Sequence, residues 1–140
     1  MAGTGDVQLP TVLIVDDDRI NRRLLSVFLF NQYTTLTAKS GEEAIEILQA
    51  KKEDQSLDEI CAILLDVMMP DMDGFQLLAK IRESCGPIPV IMCTALNDQE
   101  SVVKAIQLGA NDFLLKPFRQ KVLLDKLAKF DPTPRELGLV

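Results

Sequence analysis

Apolar runs of four to six residues alternate along this chain with longer stretches in which apolar residues recur every three or four positions. The runs are Val12 to Val15, Tyr33 to Ala38, Ile60 to Leu65, Ile88 to Cys93 and Asp112 to Leu115. Short runs that are almost wholly apolar are how strands covered on both faces read, and the stretches between them have the period of amphipathic helices. Tyr33 to Ala38 is threonine-rich and half polar, which suits an edge strand. Ile20, Leu24 and Phe28 recur every four residues, and Leu123, Leu127 and Phe130 fall at i, i+4 and i+7, so the first and last helices are expected to pack through these residues.

Helix boundaries are marked as well. Ser40-Gly41-Glu42-Glu43 has the spacing of a capping box ahead of Ala44, Ile45 and Leu48. Asp73-Gly74 opens a third helix with Phe75, Leu78 and Ile81, while Asn97 or Asp98 can cap a fourth that carries Val102 and Ile106 and stops at Gly109. Lys51 to Glu59 is polar and charged, and reads as the end of the second helix followed by a solvated loop. The order is therefore βαβαβαβαβα, an α/β chain expected to form a five-stranded parallel sheet with helices on both faces, the (βα)5 doubly wound three-layer sandwich. A length of 140 residues suits one domain. It is expected to span residues 11–130, with 1–10 a flexible N-terminal segment and 131–140 a C-terminal tail, because Asp131-Pro132-Thr133-Pro134 cannot continue a helix.

Composition narrows the chemistry. A formal net charge of −6 provides no basic field for phosphate backbones or anionic lipid, so direct nucleic-acid binding is not expected. No apolar stretch has the length to span a bilayer, and Met1 to Pro10 lacks the basic start and apolar centre of a signal peptide. Cys61, Cys85 and Cys93 are odd in number and form no C-x-x-C pair, which points to the reducing cytoplasm. There is no histidine, and that removes Ser-His-Asp and Cys-His nucleophilic systems, H-E-x-x-H metal sites and histidine phosphocarriers together. Acids must carry any chemistry.

The acids stand where a ligand site would form. Asp16 and Asp17 follow the first run, Asp66 the third, Thr94 the fourth and Lys116 the fifth. Ligands of open parallel sheets bind outside the carboxyl ends of the strands, where the strand order reverses. For order 2-1-3-4-5, the simpler of the common doubly wound orders, that reversal lies between strands one and three, so Asp16, Asp17 and Asp66 share a site. Carboxylates that close raise one another's pKa unless a cation neutralises them, and Mg²⁺, which takes oxygen ligands and keeps several waters, needs only two or three. A carboxylate can be the nucleophile in phosphoryl transfer, a reaction that needs positioning and charge neutralisation above all. Lys116 can supply a positive charge and Thr94 a hydroxyl donor. Each residue alone has an ordinary reading: Asp16, Asp17 and Asp18 as a helix N-terminus, Asp66 as a turn residue, Lys116 as a solvated lysine. Their joint placement on strand ends favours the site.

Taken together, the segments V-L-I-V-D-D-D, L-L-D-V-M-M-P-D-M-D-G, V-I-M-C-T-A and G-A-N-D-F-L-L-K-P-F resemble the receiver domains of two-component response regulators, over roughly Val12 to Phe130. The resemblance implies a flavodoxin-like fold and a signalling receiver, catalysing only its own phosphorylation and dephosphorylation. A histidine kinase or histidine phosphotransfer protein would then be the phosphoryl donor and Asp66 the phosphoacceptor. It implies Mg²⁺ on Asp16, Asp17, Asp66 and the Met68 carbonyl, with Thr94 and Lys116 contacting the phosphoryl group. Thr94 and Phe113 would act as the switch, and the Lys116-Pro117 peptide bond would be cis. Phe113 stands where tyrosine is commoner, which keeps burial but loses a hydroxyl. A downstream output protein would read the face of the fourth helix, fifth strand and fifth helix, which is also a possible homodimer face. Two positions that tune phosphoryl lifetime in such domains hold Met68 and Leu96, neither able to orient an attacking water, so slow dephosphorylation is expected. Of the rival readings, a haloacid-dehalogenase type phosphohydrolase needs a second aspartate where Met68 stands. A pseudoreceiver, with the fold but no chemistry, does not account for the presence of all five key residues.

Overall fold

The structure, a computed structural model, describes residues 9–95 and 99–131. Five strands and five main helices alternate: β1 (Thr11–Val15), α1 (Arg19–Leu29), β2 (Thr34–Ala38), α2 (Gly41–Glu53), β3 (Ile60–Asp66), α3 (Gly74–Cys85), β4 (Val90–Thr94), α4 (Gln99–Gln107), β5 (Asp112–Leu115) and α5 (Gln120–Ala128). A short 3-10 turn, Leu57–Glu59, leads into β3. All strand pairs are parallel and the sheet order is β2-β1-β3-β4-β5, as expected, with the threonine-rich strand at an edge. The expected N-terminal segment and C-terminal tail, the proposed caps Asn97 and Asp98, and Leu96 fall wholly or largely outside the described residues.

Strand residues point alternately to opposite faces, and this alternation divides the core in two. Leu13, Val15, Ile63, Leu65, Val90 and Met92 pack with Ala44 and Leu48 of α2, Leu77, Leu78 and Ile81 of α3, and Ala105 of α4. Val12, Ile14, Ala62, Leu64, Ile91, Cys93 and Leu114 pack on the other face with Leu25 and Leu29 of α1 and Leu123 and Leu127 of α5. Strands β1, β3 and β4 are buried along their whole length, which is why they read as unbroken apolar runs.

Two helices present other residues to the core than their simplest period suggests. In α1 the buried residues are Leu25 and Leu29, whereas Ile20 is 75% and Leu24 37% exposed. The segment has apolar residues on more than one side, so two stripes satisfied the helical period. In α4 the buried residue is Ala105, and Ile106 is exposed. Ala105 is the residue that turns to the core shared with α2 and α3, and the larger neighbour is left outside.

Helix starts follow local hydrogen bonding. Ser40 Oγ accepts from Glu43 N–H at 3.1 Å, while Glu43 reaches one residue further back than a strict capping box, accepting from Lys39 N–H at 2.8 Å. Asp73 and Gln76 form a complete box at the start of α3. Such caps are each worth about 1 kcal/mol.

One residue ties the opposite end of the sheet together without any sequence signal. The Arg82 guanidinium donates to the carbonyls of Gly86, Ile88 and Gly109 and to Asn111 Oδ1. Asn111 Oδ1 also accepts from Val90 N–H at 2.9 Å. The α3–β4 and α4–β5 turns are thereby held to one side chain, and Gly109, at φ +98, supplies the backbone conformation that ends α4.

Candidate functional site

The carboxyl ends of β1, β3, β4 and β5 lie at one level because the strands pair in register: Val15 opposite Leu65, Asp66 opposite Cys93, Thr94 opposite Leu115. Beyond that level the chain turns, and the residues next in sequence are brought together above the sheet. Lys116 N–H donates to Thr94 O at 2.9 Å and Val67 N–H to Cys93 O at 3.1 Å, so each strand end is held to its neighbour. The Lys116–Pro117 peptide bond is cis.

Asp16, Asp17 and Asp66 each place a carboxylate oxygen within 4.8 Å of the others. Asp16 and Asp66 are buried and Asp17 is exposed, so the cluster has a closed floor and an open mouth. Lys116 Nζ stands 3.1 Å from Asp66 Oδ1, which also accepts a long hydrogen bond of 3.4 Å from Met68 N–H. Asp16 Oδ1 accepts from Asp18 N–H at 2.8 Å, and Asp18 in turn caps α1 through Ile20 N–H. Arg22 donates to the Asp16 carbonyl at 2.8 Å, fixing the first turn of α1 against the end of β1. Asp18 is thus a cap, and Asp16 and Asp17 are left to the site.

Burial pushes the Asp16 carboxyl above the ordinary carboxylate range, and the nearby Asp66 charge adds to it, against the pull of Asp18 N–H and Lys116. Burial also raises Asp66, and its contacts with Lys116 only partly offset this. For Lys116 burial acts downward, yet the Asp66 hydrogen bond and charge outweigh it and raise its pKa. The ion pair is favourable, but it leaves two buried carboxylates sharing one ammonium group. Asp16 Oδ2 is buried with no hydrogen-bond partner among the described residues. An orphaned anionic oxygen beside two further carboxylates, all oxygen donors, fits a hard divalent cation such as Mg²⁺.

Without a cation, both acids oppose the fold as they ionise. The sign follows from linkage: a carboxyl whose folded pKa lies above its unfolded value of 3.8 binds protons more tightly in the folded state, so stability falls as pH rises from about that value through the raised folded pKa. In chelator-treated protein, Asp16→Asn is therefore expected to raise the thermal midpoint at neutral pH, by roughly 3 °C for each kcal/mol relieved, and to flatten its decline with pH. The same variant should gain less from added Mg²⁺ than the parent. Thermal unfolding with and without chelator checks this, and an unchanged midpoint with full Mg²⁺ response counts against it.

Thr94 ends β4 and is buried, and Phe113 in β5 is half-buried, packed against the core face that carries α3 and α4. The Met68 side chain is exposed, between the buried side chains of Val67 and Met69. Asp16, Asp17, Asp66, Met68, Thr94, Lys116 and Pro117 stand at this end of the sheet, and Phe113 lies two residues below it in β5. Asp18 is the helix N-terminal residue expected from sequence, and Arg22, which no motif marked, adds an ordering contact. Gly74 N–H donates to Val67 O at 2.9 Å, and the start of α3 packs directly on the backbone of Asp66 and Val67.

Comparison with known proteins places this arrangement. The model of the response regulator receiver domain matches residues 12–128. Transcriptional regulatory protein AfsQ1 of Streptomyces coelicolor is 35% identical over 116 residues, covering 82% of this chain and 48% of that protein. Response regulator MprA of Mycobacterium ulcerans is 36% identical over 117 residues, covering 83% of this chain and 47% of that protein. The chain thus spans about half the length of the curated relatives it matches. Among solved structures, the chemotaxis protein CheY4 of Vibrio cholerae superposes with a TM-score of 0.78 at 30% identity, over 87% of this chain and 98% of the other. The BeF3-activated DrrB receiver domain does so with a TM-score of 0.76 at 30% identity, over 88% of this chain and 97% of the other.

Proposed function

The chain belongs to the response regulator receiver domain family, the phosphorylation-activated receivers of two-component signalling, and from that premise we propose that Asp66 is its phosphoacceptor. The donor is a phosphohistidine on a histidine kinase or a histidine phosphotransfer protein, and residues 11–130 are the functional unit. The observation that carries this reading is the Asp66 carboxylate, buried between the Lys116 ammonium and the Asp16 and Asp17 carboxylates at the mouth of the sheet. In the transfer, a carboxylate oxygen of Asp66 attacks phosphorus, the new P–O bond forms as the donor P–N bond breaks, and the leaving imidazole takes a proton from solvent. Lys116 is positioned to neutralise charge on the phosphoryl oxygens, and the Thr94 hydroxyl to donate to one of them. Asp16, Asp17, Asp66 and the Met68 carbonyl would hold Mg²⁺, which when bound neutralises charge on the acids and the transferred group.

The response is a population shift. Inward movement of Thr94 toward the phosphoryl group vacates space for the Phe113 ring to turn. That alters the α4–β5–α5 face, where an output protein or a second copy is read. Exposed Val103 and Ile106 of α4, Leu115 of β5 and Val122 of α5 give that face an apolar surface. No helix among the described residues is long and apolar enough to cross a membrane. The free thiols of Cys61, Cys85 and Cys93 support a reducing cytoplasm as its location.

Beryllofluoride, a mimic of the phosphoryl group, tests the reading. Stoichiometric binding that requires Mg²⁺ and shifts the Phe113 and α4 amide resonances is the expected result; no binding in the presence of Mg²⁺ leaves a receiver fold without its chemistry. Decay should also be slow, because the exposed Met68 side chain beside Asp66 can orient no water. Met68→Asn is expected to speed loss of the acyl phosphate several-fold, read as release of labelled phosphate. An unaltered half-life removes Met68 as a determinant.

A further inference from the structure

Helix α1 covers the sheet with Leu25 and Leu29 and leaves its flank toward the edge strand β2 open. Arg19, Arg22, Ser26 and Phe30, spaced by three or four residues, share that flank with Arg23 and Val27 beside them. The hydroxyl-bearing Thr35 and Thr37 of β2 close the other wall, making a groove of about 680 Å³. It is asymmetric along its length: cations at the N-terminal end of the helix, Val27 and Phe30, 61% and 73% exposed, at the other.

Charge sets this groove apart from the rest of the molecule. The chain carries a net charge of −6, yet α1 contains three arginines and no acid. All ion pairs among the described residues are made by lysines, and Arg22 donates only to the Asp16 carbonyl. The guanidinium charges of Arg19 and Arg23 are therefore compensated by no carboxylate of the described residues within ion-pair distance. Planar guanidinium groups bind carboxylates in bidentate pairs, and exposed aromatic and aliphatic side chains one or two helical turns away call for an apolar anchor.

We propose that the groove between α1 and β2 docks an acidic, amphipathic segment of a partner protein, its carboxylates on Arg19, Arg22 and Arg23 and its apolar side chain on Val27 and Phe30. At 1.5 Å per residue, Val27 and Phe30 stand about 6–16 Å from the arginines along the helix, so the partner's acids and anchor are about one to three helical turns apart. A nucleic acid fits less well. The net negative charge of the chain opposes an extended polyanion, whereas a short acidic segment responds to charges within a Debye length of about 8 Å. A phosphate backbone also leaves Phe30 and Val27 uncovered. This docking does not depend on phosphoryl transfer at Asp66.

The probe is a synthetic helical peptide of about 15 residues, with three glutamates in its first two turns and two leucines in its last. It is titrated into the full chain and followed by backbone amide resonances. Expected are saturable shifts centred on α1 and β2, affinity that falls several-fold as salt rises from about 0.05 to 0.15 M, and at least tenfold weaker binding to an Arg19→Gln, Arg23→Gln double variant. Phe30→Ser should weaken binding about threefold. These side chains are exposed or half-exposed, and an unchanged thermal midpoint together with normal labelling by acetyl phosphate shows that the variants are folded. The proposal is overturned by equal binding of the peptide with glutamine for glutamate, by shifts centred on another face, by tighter binding of a short single-stranded DNA, or by self-association that moves the same amides.

Discussion

Asp66→Asn is expected to reduce phosphoryl uptake from a phosphodonor to background, a loss of at least about a hundredfold. An amide nitrogen or oxygen cannot form the acyl phosphate, and no other described residue combines a buried carboxylate with an ammonium group 3.1 Å away and two more acids close by. The fold should survive. Burial holds the Asp66 carboxyl above its ordinary pKa even with Lys116 beside it, so the charged form is a net cost to the folded state. Asparagine keeps an oxygen for Lys116 to donate to, and Lys116, with 27% of its side chain exposed, can be solvated. Labelling with radioactive acetyl phosphate and a parallel thermal melt read both halves. Uptake at the parent rate would move the acceptor elsewhere and remove the chemical basis of the proposed function.

Gly74→Ala should damage stability and site together. A Cβ at this position would meet the Asp66 carbonyl oxygen within contact distance and Val67 Cα at 2.8 Å, both backbone atoms of the segment leaving β3. Side chains can rotate away from such a contact, but this backbone is held: Gly74 N–H donates to Val67 O, and Val67 N–H to Cys93 O. Overpacking of this kind costs about 1–3 kcal/mol, more where the neighbours cannot yield. The displacement falls on Asp66 itself, and misplacement of a nucleophile by about 1 Å can cost on the order of a hundredfold in rate. Urea unfolding and phosphoryl labelling should both change. A variant as stable and as active as the parent would mean that α3 can slide along the strand end.

The described site therefore depends on backbone contact as much as on its charged groups, and that contact is what sequence pattern conveys least. Strands β1, β3 and β4 were legible because burial on both faces leaves no room for polar residues, and their ends were legible because the run of apolar residues stops there. Once the strand order was settled, Asp16, Asp17, Asp66, Thr94 and Lys116 had to lie at one end of the sheet. The packing face of α1 was a different matter. Ile20, Leu24 and Phe28 keep a helical period as well as Leu25 and Leu29 do, and only the position of the sheet and α5 decided between them. The same holds for Ala105 and Ile106 in α4, where the seating of the helix over the sheet, a property of the assembled layers, decided which of the two is buried.

Arg82 marks the limit from the other side. Its partners are chiefly main-chain carbonyls in two turns, and a carbonyl has no signature in sequence. By itself the order of residues determined which segments are strands and helices, which strand lies at the edge, and which acids, hydroxyl and lysine stand at the strand ends, because burial and local hydrogen bonding act on neighbours in the chain. Tertiary structure alone decided that Asp16 Oδ2 is left without a donor among the described residues, that Lys116 reaches Asp66 fifty positions away in the chain, that Gly74 touches the Asp66 backbone, and that the arginines of α1 border an open groove. Those facts depend on distances between segments remote in sequence, and such distances are set only when the layers close on one another.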